Sequence, residues 1–425
     1  MADTIFALSS GRPPAAISVI RVSGPQAFAA GMLIAGSLPE PRTAAVRELR
    51  HPQSGELLDE ALVLGFAGPA SSTGEDIVEF QCHGGRAVID SLHAALAAIG
   101  GLRQAQPGEF TRRAFENGRI DLTEAEGLAD LLEAETESQR KAALTLAEGG
   151  LRRQIAMWQE QLLALSARAE RAIDYDEEDE ALDPSLLRDS AVLARELEQW
   201  LARPRAEPLK DGVLVVIAGP PNAGKSSLLN AIAGEERAIV TDLPGTTRDH
   251  LEVPLSLGGV PIRLTDTAGL RAADDQVEAI GVARAERLIE AADVLVWLGD
   301  AAEVPPHPRV IGVHAKADLP DRREAPDGLW ATSAVSGEGL SGLMAEIGRV
   351  ARTVLPAEDA IALNRRQARH VAGAALALSD VAGAGDLVLV AEHFRRARNA
   401  FDQLTGAAGV ENVLDTLFAR FCLGK

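Results

Sequence analysis

The amino-acid sequence predicts a multidomain protein: an N-terminal α+β domain, followed by a helical domain into which an α/β domain is inserted. The chain has 425 residues, which is more than one ordinary domain contains. Its hydrophobic periodicity changes from mixed strands and helices to helices, then to alternating strands and helices, and finally back to helices. An insertion is tolerated where two surface ends of a domain lie close together.

The predicted α+β domain covers residues 1–119. ISVIRVSG (17–24) and EDIVEFQC (75–82) predict strands, because short apolar segments of this kind fit a partly buried sheet. RAVIDSLHAALAAIG (86–100) predicts a helix that Gly100 and Gly101 end.

The helical domain is predicted in two parts, residues 120–210 and 355–425. Helical periodicity runs from Leu122 to Ala172 and again from Asn364 to Arg420. The acidic segment DYDEEDE (174–180) is interpreted as a solvated loop rather than a metal site.

A second helix of the first part is predicted to begin at Asp183-Pro184, an N-cap followed by proline in the first turn. ARPRAEPLKDG (202–212) is rich in proline and charge and predicts a linker. The inserted α/β domain then covers residues 211–354, where strands and helices alternate.

The net charge of the chain limits which partners it can bind by itself. Lys and Arg number 42 against 62 Asp and Glu, a net charge of −20. Such an acidic chain is poorly suited to bind a phosphate backbone tightly by itself, so we expect a nucleic-acid substrate to arrive with a basic partner. Two cysteines, Cys82 and Cys422, make no disulfide framework and predict a reducing compartment.

The N-terminus MADTIFALSSGRPP carries Asp3 where a signal peptide needs positive charge. No apolar run approaches the roughly 18 residues that a membrane span requires. We therefore expect a cytoplasmic protein that does not span a membrane.

GPPNAGKS (219–226) fits the pattern of a phosphate-binding loop between a strand, VLVVIA, and a helix, SLLNAIAG. Gly219 and Gly224 let the backbone amides curl around a β-phosphate at the helix N-terminus. Lys225 neutralises the β- and γ-phosphates, and the Ser226 hydroxyl can ligate Mg²⁺.

Two further segments are suited to bind the phosphates of a nucleotide and the Mg²⁺ that accompanies them. PIRLTDTAG (261–269) predicts a strand ending in Asp-x-x-Gly, so that Asp266 can hold the metal through water and the Gly269 amide can sense the γ-phosphate. TDLPGTTRD (241–249) is a Gly/Thr loop at the interval that brings Thr247 to Mg²⁺; an ordinary turn is the alternative. The order of the three elements predicts a switch GTPase.

Base selection is assigned to HAKAD (314–318) and TSAVSGEG (332–339). Asp318 can accept the N1 and N2 protons of guanine, Lys316 can lie along the base plane, and amides near Ala334 can meet O6. Ala315 stands where an Asn-Lys-x-Asp loop has asparagine, and losing that hydrogen bond costs about 1 kcal/mol. The sequence predicts guanine recognition with weaker binding.

The predicted GTP-binding residues are Asn222, Ala223, Gly224, Lys225, Ser226, Ser227, Thr241, Thr246, Thr247, Asp266, Thr267, Ala268, Gly269, Lys316, Asp318, Ser333 and Ala334.

The order of GPPNAGKSS, TDLPGTTRD, DTAGLR, a Lys-x-Asp loop and SAVSGEGL resembles the Era-like translation-factor class of GTPases. The C-terminal FCLGK, and the N-terminal segments VIRVSG, GEDIVEFQCHGG and PGEFTRRAFENGRIDLTEAEGLADL, resemble the MnmE (TrmE) family of tRNA-modification GTPases. The resemblance spans essentially the whole chain. The chain departs from the family pattern at Ala315 and in the short length of its α/β domain. The resemblance implies that this α/β domain is a Ras-like G domain.

The resemblance implies a potassium-dependent GTP hydrolase that works with the flavoprotein MnmG (GidA), which supplies FAD. The pair adds an aminomethyl or carboxymethylaminomethyl group to C5 of the wobble uridine of certain tRNAs, using a one-carbon unit from a tetrahydrofolate derivative. The N-terminal domain then binds the folate and forms a homodimer. Matching motifs place folate contacts at Arg21, Glu79, Arg119 and Lys425; the alternative for Arg21 and Glu79 is an ion pair on adjacent strands.

Further roles follow from the resemblance. Cys422 is either a packing residue or a nucleophile or thiol ligand in the modification chemistry. K⁺ is assigned to Asn222 with Thr241, Leu243 and Thr246 once two G domains meet. Glu278 is expected to position the attacking water, unless it lies on a solvated helix face.

Two rival functions fit parts of the sequence: a ribosome-assembly GTPase switch, and a folate-dependent aminomethyltransferase whose G domain is structural.

Overall fold

The computed structural model describes residues 3–175, 183–236, 252–267, 278–357, 360–408, 411–419, 421 and 424. The chain divides into two compact units. The first contains residues 1–129, 151–153 and 402–425, and the second contains residues 130–150 and 154–401. The four predicted domain ranges stay a prediction.

The first unit contains a six-stranded sheet with the order β3-β4-β5-β2-β1-β6. Neighbouring strands are antiparallel except β1 and β6, which are parallel. The two strands predicted at 17–24 and 75–82 are present as β2 and β5: β2 begins two residues and ends one residue earlier than predicted, and β5 begins and ends two residues later. The strands are β1 (Thr4–Leu8), β2 (Ala15–Ser23), β3 (Ala45–Arg50), β4 (Leu57–Phe66), β5 (Ile77–Gly84) and β6 (Leu102–Gln104).

Helices α1 (Ala27–Ala35) and α2 (Arg86–Ala97) pack on this sheet, and α3 (Glu109–Glu116) follows it. Phe6, Ile20 and Phe80 belong to the apolar core that the strands share with α1 and α2. Helix α2 ends three residues before the predicted Gly100. The Ile99 amide already bonds the Leu96 carbonyl at 3.1 Å, a tighter turn that leads the chain into β6.

The helical stretch predicted from Leu122 to Ala172 is three helices: α4 (Leu122–Glu133), α5 (Glu137–Ala147) and α6 (Gly150–Tyr175). Thr136 starts α5 with a capping box, in which its side chain accepts from the Gln139 amide. Gly149 separates α5 from α6 at φ 79°, a conformation that favours glycine. Periodicity alone missed both breaks, because all three helices are amphipathic.

Asp183 caps α7 (Pro184–Leu201) by accepting from the Ser185 amide, as predicted. The predicted linker contains a short helix, α8 (Glu207–Lys210). Of the acidic run 174–180, residues after Tyr175 lie outside the described residues.

The α/β part of the second unit is a six-stranded sheet with the order β12-β11-β10-β7-β9-β8. All neighbours are parallel except the β8–β9 hairpin, so the predicted α/β class is confirmed. The strands are β7 (Val213–Ala218), β8 (Glu252–Leu257), β9 (Val260–Asp266), β10 (Val294–Trp297), β11 (Val310–Ala315) and β12 (Trp330–Thr332). The helices are α9 (Lys225–Glu236), α10 (Glu278–Ala291) and α11 (Leu340–Arg352).

No α-helix lies in the described connection from β10 to β11 (298–309) or from β11 to β12 (316–329). Each is described in full, and each contains only a single 3₁₀ turn, at Ala301–Glu303 and at Pro320–Arg322. Because the parallel strands end at the same edge of the sheet, the loops after β7, β9, β11 and β12 meet there.

The C-terminal helices are α12 (Arg365–Asp380), α13 (Leu387–Thr405) and α14 (Glu411–Phe418). Asn364 begins α12 with a capping box to Gln367. Within the described ranges, the structure has no helix with the length and apolar character needed to cross a membrane.

Candidate functional site

The phosphate-loop site consists of the loop after β7 and the first turn of α9, residues 219–227. Strand β7 is buried along its whole length, and α9 begins at Lys225 directly after the loop. Gly219 has φ 150°, and a Cβ added to it would lie 2.7 Å from the Leu298 carbonyl oxygen. Only glycine fits this close approach, so the predicted strand–loop–helix geometry is present.

Lys225 lies over the loop with only 8% of its surface exposed. Its Nζ donates to the Gly219 oxygen at 3.0 Å and to the Pro220 oxygen at 2.9 Å. The ammonium group is therefore held above the backbone that would surround a phosphate. Ser227, one turn into the helix, is exposed.

Ser226 and Asp266 come together from α9 and the end of β9. The Ser226 hydroxyl donates to Asp266 Oδ2 at 2.5 Å, and Asp266 is 5% exposed. A hydroxyl and a carboxylate are hard oxygen ligands of the kind Mg²⁺ takes, so these residues fit the predicted metal. Thr267 follows, and its Oγ1 donates to the Ile217 oxygen at 3.3 Å.

The base-recognition loop, residues 315–319, follows β11. Ser333 Oγ donates to Asp318 Oδ1 at 2.6 Å, and the amides of Val335 and Ser336 donate to Ser333 Oγ at 3.2 and 3.1 Å. The β12 loop thus orients the carboxylate through Oδ1, which keeps a second lone pair, so both oxygens can accept from a base. Ala334 lies in the same loop and is partly buried.

Lys316 connects the base-recognition loop to the phosphate loop. Its Nζ donates to the Asn222 carbonyl oxygen at 2.7 Å. Lys316 and Asn222 both have left-handed backbones, with φ 64° and 61°. Strain of about 1–3 kcal/mol per residue persists where the surrounding structure imposes it, commonly at functional sites.

Several predicted residues lie outside the described residues: Thr241, Leu243, Thr246, Thr247, Ala268, Gly269, Cys422 and Lys425. Glu278 is the first residue of α10, with a side chain that the structure does not describe. Their predicted roles stay predictions, and for K⁺ the described part of the predicted site is Asn222.

A second site, the N-terminal cavity, has a volume of about 340 Å³ in the first unit. Arg21 and Arg119, two of the four predicted folate contacts, both line it, together with Ser71, Ser72, Thr73, Phe110, Thr111, Ala114, Ile120 and Leu128. The Arg21 guanidinium lies 5.6 Å from the centroid of the Phe110 ring. Two cations and an aromatic ring around one cavity suit an anionic, aromatic ligand.

Glu79 does not line the cavity but orients Arg21. The two residues are directly paired across β2 and β5, and Arg21 Nε donates to Glu79 Oε1 at 2.8 Å. This is the ion pair on adjacent strands that was the alternative interpretation. The alternative and the predicted folate role are compatible, because the pair fixes the guanidinium at the cavity wall.

The loop 71–75 forms the other wall. Arg119 Nε donates to the Ser71 oxygen at 3.1 Å, and Asn117 Nδ2 donates to the Thr73 oxygen at 2.8 Å. A Cβ on Gly74 would lie 2.8 Å from Asn117 Cβ. The segment after α3 therefore holds this loop against the cavity.

The C-terminal motif packs near the same walls. Phe421 belongs to the apolar cluster that Ile120 and Leu128 join, and those two residues also line the cavity. A Cβ on Gly424 would lie 2.0 Å from the Leu8 oxygen at the end of β1. The residues on either side of the Cys422-Leu423 dipeptide are therefore fixed on the first unit.

Cys82 differs chemically from a reactive thiol. It is buried in the sheet core, and its Sγ donates to the Ser18 oxygen at 3.5 Å. Burial, with the nearby Asp59 carboxylate, raises the pKa of the thiol to about 11. Cys82 is a packing residue.

The sequence interpretation missed Phe110, the loop 71–75 and Arg322. Phe110 stands in the quoted segment PGEFTRRAF, so its motif was visible but its role was not. Arg322, which donates Nε to the Ala315 oxygen at 3.0 Å, has no motif that could have signalled this contact.

Family models match nearly the whole chain. One, described as the GTP-binding protein TrmE N-terminus, matches residues 4–119; the other, the MnmE helical domain, matches residues 122–422. Three curated relatives carry the name tRNA modification GTPase MnmE. Those of Novosphingobium aromaticivorans and Erythrobacter litoralis are each 50% identical, over 100% of both chains. That of Rhizorhabdus wittichii is 52% identical over 100% of this chain and 97% of its own.

Proposed function

Since the chain belongs to the MnmE family of tRNA modification GTPases, we propose that it couples GTP hydrolysis to the addition of a folate-derived one-carbon unit to tRNA. The product is an aminomethyl or carboxymethylaminomethyl group at C5 of the wobble uridine. The observation that carries this proposal is the N-terminal cavity, which Arg21 and Arg119 both line, in a chain that also has a strand–loop–helix phosphate loop with Lys225 and Ser226.

In the nucleotide half of the reaction, Lys225 exchanges its contacts with the Gly219 and Pro220 oxygens for the β- and γ-phosphate oxygens. The Ser226 hydroxyl would ligate Mg²⁺ and Asp266 would hold it through water; the ion would supply positive charge against the charge that develops on the phosphates. Asp318, held by Ser333, accepts the N1 and N2 protons of guanine. Adenine offers no such donors, so an adenine base would cover the Asp318 carboxylate without a partner, which disfavours it.

A bound K⁺ would supply the charge that an arginine finger supplies in other GTPases. Asn222 contributes to its site, with Thr241, Leu243 and Thr246, when two G domains meet, and Thr247 completes the Mg²⁺ site. Ala268 and Gly269 contact the γ-phosphate, and Glu278 orients the attacking water.

In the folate half, Arg21 and Arg119 hold the anionic parts of a tetrahydrofolate derivative, and Phe110 contacts its aromatic ring. Glu79 keeps the Arg21 guanidinium at the cavity wall through the 2.8 Å hydrogen bond. Lys425 adds a cation from the terminal motif, and Cys422 acts on the reacting carbon as nucleophile or ligand.

The protein works as a homodimer with the flavoprotein MnmG, which brings FAD. A net charge of −20 leaves tRNA binding to surfaces that include the partner's, because an acidic chain repels the phosphate backbone.

Nucleoside analysis of tRNA tests this function. Cells that lack the chain should lose the modified wobble uridine, and the wild-type gene should restore it. Cys422→Ser should hydrolyse GTP at the wild-type rate yet fail to restore the nucleoside, whereas Cys82→Ala, which removes the buried thiol, should restore it. Unchanged wobble nucleosides in cells lacking the chain would contradict the proposal.

The potassium step has a separate test. GTP turnover should be faster in KCl than in NaCl, and Asn222→Ala should remove the difference. Equal turnover in the two salts, or full KCl turnover by Asn222→Ala, would exclude K⁺ at this position.

A further inference from the structure

The base-recognition loop lacks the side chain that braces it in a full Asn-Lys-x-Asp sequence. Ala315 is 8% exposed and belongs to the apolar core of the sheet. A Cβ on Gly224 would lie 4.0 Å from Ala315 Cβ and 3.6 Å from Lys316 Cε. A polar side chain at position 315 would therefore face the phosphate loop, and alanine offers no hydrogen bond there.

The backbone of Ala315 is held from another direction. Arg322, at the end of the 3₁₀ turn Pro320–Arg322, donates Nε to the Ala315 oxygen at 3.0 Å. Its own carbonyl oxygen lies 2.9 Å from His314 Nε2. Since a carbonyl only accepts, Nε2 carries the hydrogen. In neutral imidazole His314 Nδ1 is then an acceptor, and Arg322 Nη2 lies 3.5 Å from it.

These contacts close the base-recognition loop on itself. Residues 316–321 run from the end of β11 to Arg322, and they include Lys316 and Asp318. Lys316 keeps a left-handed backbone at φ 64°, which the surrounding structure has to impose. The Arg322 guanidinium donates to Ala315 and the Arg322 carbonyl oxygen accepts from His314, so the residue that follows this strained segment is bound to β11.

Arg322 also lies beside the phosphate loop. It lines a cavity of about 480 Å³ together with Asn222, Ala223, Ala315 and Lys316. Arg322 therefore lines the same cavity as Ala315, from a position seven residues later in the sequence.

We infer that Arg322 is a positioning residue for guanine recognition, and that its hold on Ala315 and His314 substitutes for the absent asparagine. The inference rests on the proposed nucleotide function. Arg322 acts through the loop: it keeps Lys316 on the Asn222 oxygen and Asp318 in reach of Ser333, and its side-chain hydrogen bonds within the described residues go to Ala315 and His314.

The test uses the full-length chain with Arg322→Ala, Arg322→Lys and the neighbouring control Arg323→Ala, which changes an exposed arginine of the same loop. Losing about one net hydrogen bond predicts GDP affinity roughly fivefold lower for Arg322→Ala. The KM for GTP should rise while kcat at saturating GTP stays within about twofold. Lysine can still donate one hydrogen bond, so the GDP affinity of Arg322→Lys should lie between those of the wild type and Arg322→Ala. Arg323→Ala should bind GDP like the wild type.

Rescue separates positioning from a general loss of structure. Ala315→Asn adds a side chain that can hydrogen-bond towards the phosphate loop and hold the base-recognition loop without Arg322. It should therefore raise GDP affinity by a larger factor in the Arg322→Ala background than in the wild type. The inference is overturned if Arg322→Ala binds GDP like Arg323→Ala. It is also overturned if Ala315→Asn has the same effect in both backgrounds. A wild-type chain that fails to bind GDP would instead overturn the proposed function.

Discussion

The phosphate-loop site and the N-terminal cavity build ligand contacts in two different ways. In the first, the contacts come from strand ends, loops and the first turn of a helix at one edge of a sheet, as with Lys225 at the start of α9 and Asp318 after β11. In the second, Arg21 lies two residues before the end of β2 and is held by Glu79 on β5, while Arg119 comes from the segment after α3. One site is made of contiguous motifs, and the other is assembled across a sheet face.

The difference shows in the backbone as well. Asn222 and Lys316 have left-handed φ angles in the phosphate-loop site, where close approach to phosphates and a base demands unusual loop geometry. Arg21 and Glu79 have ordinary strand conformations, and each side chain is held in place by the hydrogen bond to the other. The first site depends on loop shape, and the second depends on the match between charged side chains.

The largest effect is expected from Lys225→Ala in the phosphate-loop site. It removes the charge that faces the β- and γ-phosphates, so GTP turnover should fall by at least about 100-fold. The exposed Lys141 on α5 provides the control, and Lys141→Ala should hydrolyse GTP at the wild-type rate. Turnover within a few-fold of wild type in Lys225→Ala, measured as phosphate release, would mean that hydrolysis uses another site.

Arg21→Ala should affect only the N-terminal cavity. Losing a charge-assisted contact of about 2 kcal/mol lowers affinity for 5-formyltetrahydrofolate roughly 30-fold, while GTP turnover without tRNA stays at the wild-type value. Arg50→Ala changes an exposed arginine of the same sheet and should bind folate normally. Titration calorimetry measures the folate affinity of the wild type, Arg21→Ala and Arg50→Ala. Equal affinities for the two variants would show that the folate does not bind in this cavity.

The smallest effect is expected from Ala315→Asn in the wild-type background. One recovered net hydrogen bond of about 1 kcal/mol should tighten GDP binding roughly fivefold. Ala315→Val adds volume at the same position without a hydrogen bond, and it should give no tightening. If valine tightens binding as much as asparagine, the gain comes from packing.

These two sites also mark how far the sequence could predict the structure. The phosphate loop follows from GPPNAGKS, because a strand, a glycine loop and a helix in series leave one way to present Lys225 and Ser226. The α/β class follows from the alternation of elements. The breaks at Thr136 and Gly149 were missed because the apolar stripe continues through them on both sides.

The N-terminal cavity could not be derived from spacing. Arg21, Ser71 and Arg119 are far apart in sequence, and only the sheet register and the loop held by Asn117 bring them together. The resemblance to a known family identified Arg21 and Arg119, but neither it nor any motif pointed to Phe110. The Arg322 contact depends on the 3₁₀ turn Pro320–Arg322 after β11, which the sequence of the loop did not predict.

Base recognition by Asp318 is the central claim, and binding of GDP, XDP and ADP measured by titration calorimetry tests it most directly. The wild type should prefer GDP over both others. Asp318→Asn should shift the preference to XDP, because Ser333 can still donate to Oδ1 while the new amide donates to the xanthine carbonyl. Equal affinity of the wild type for GDP and ADP would contradict guanine recognition by this loop.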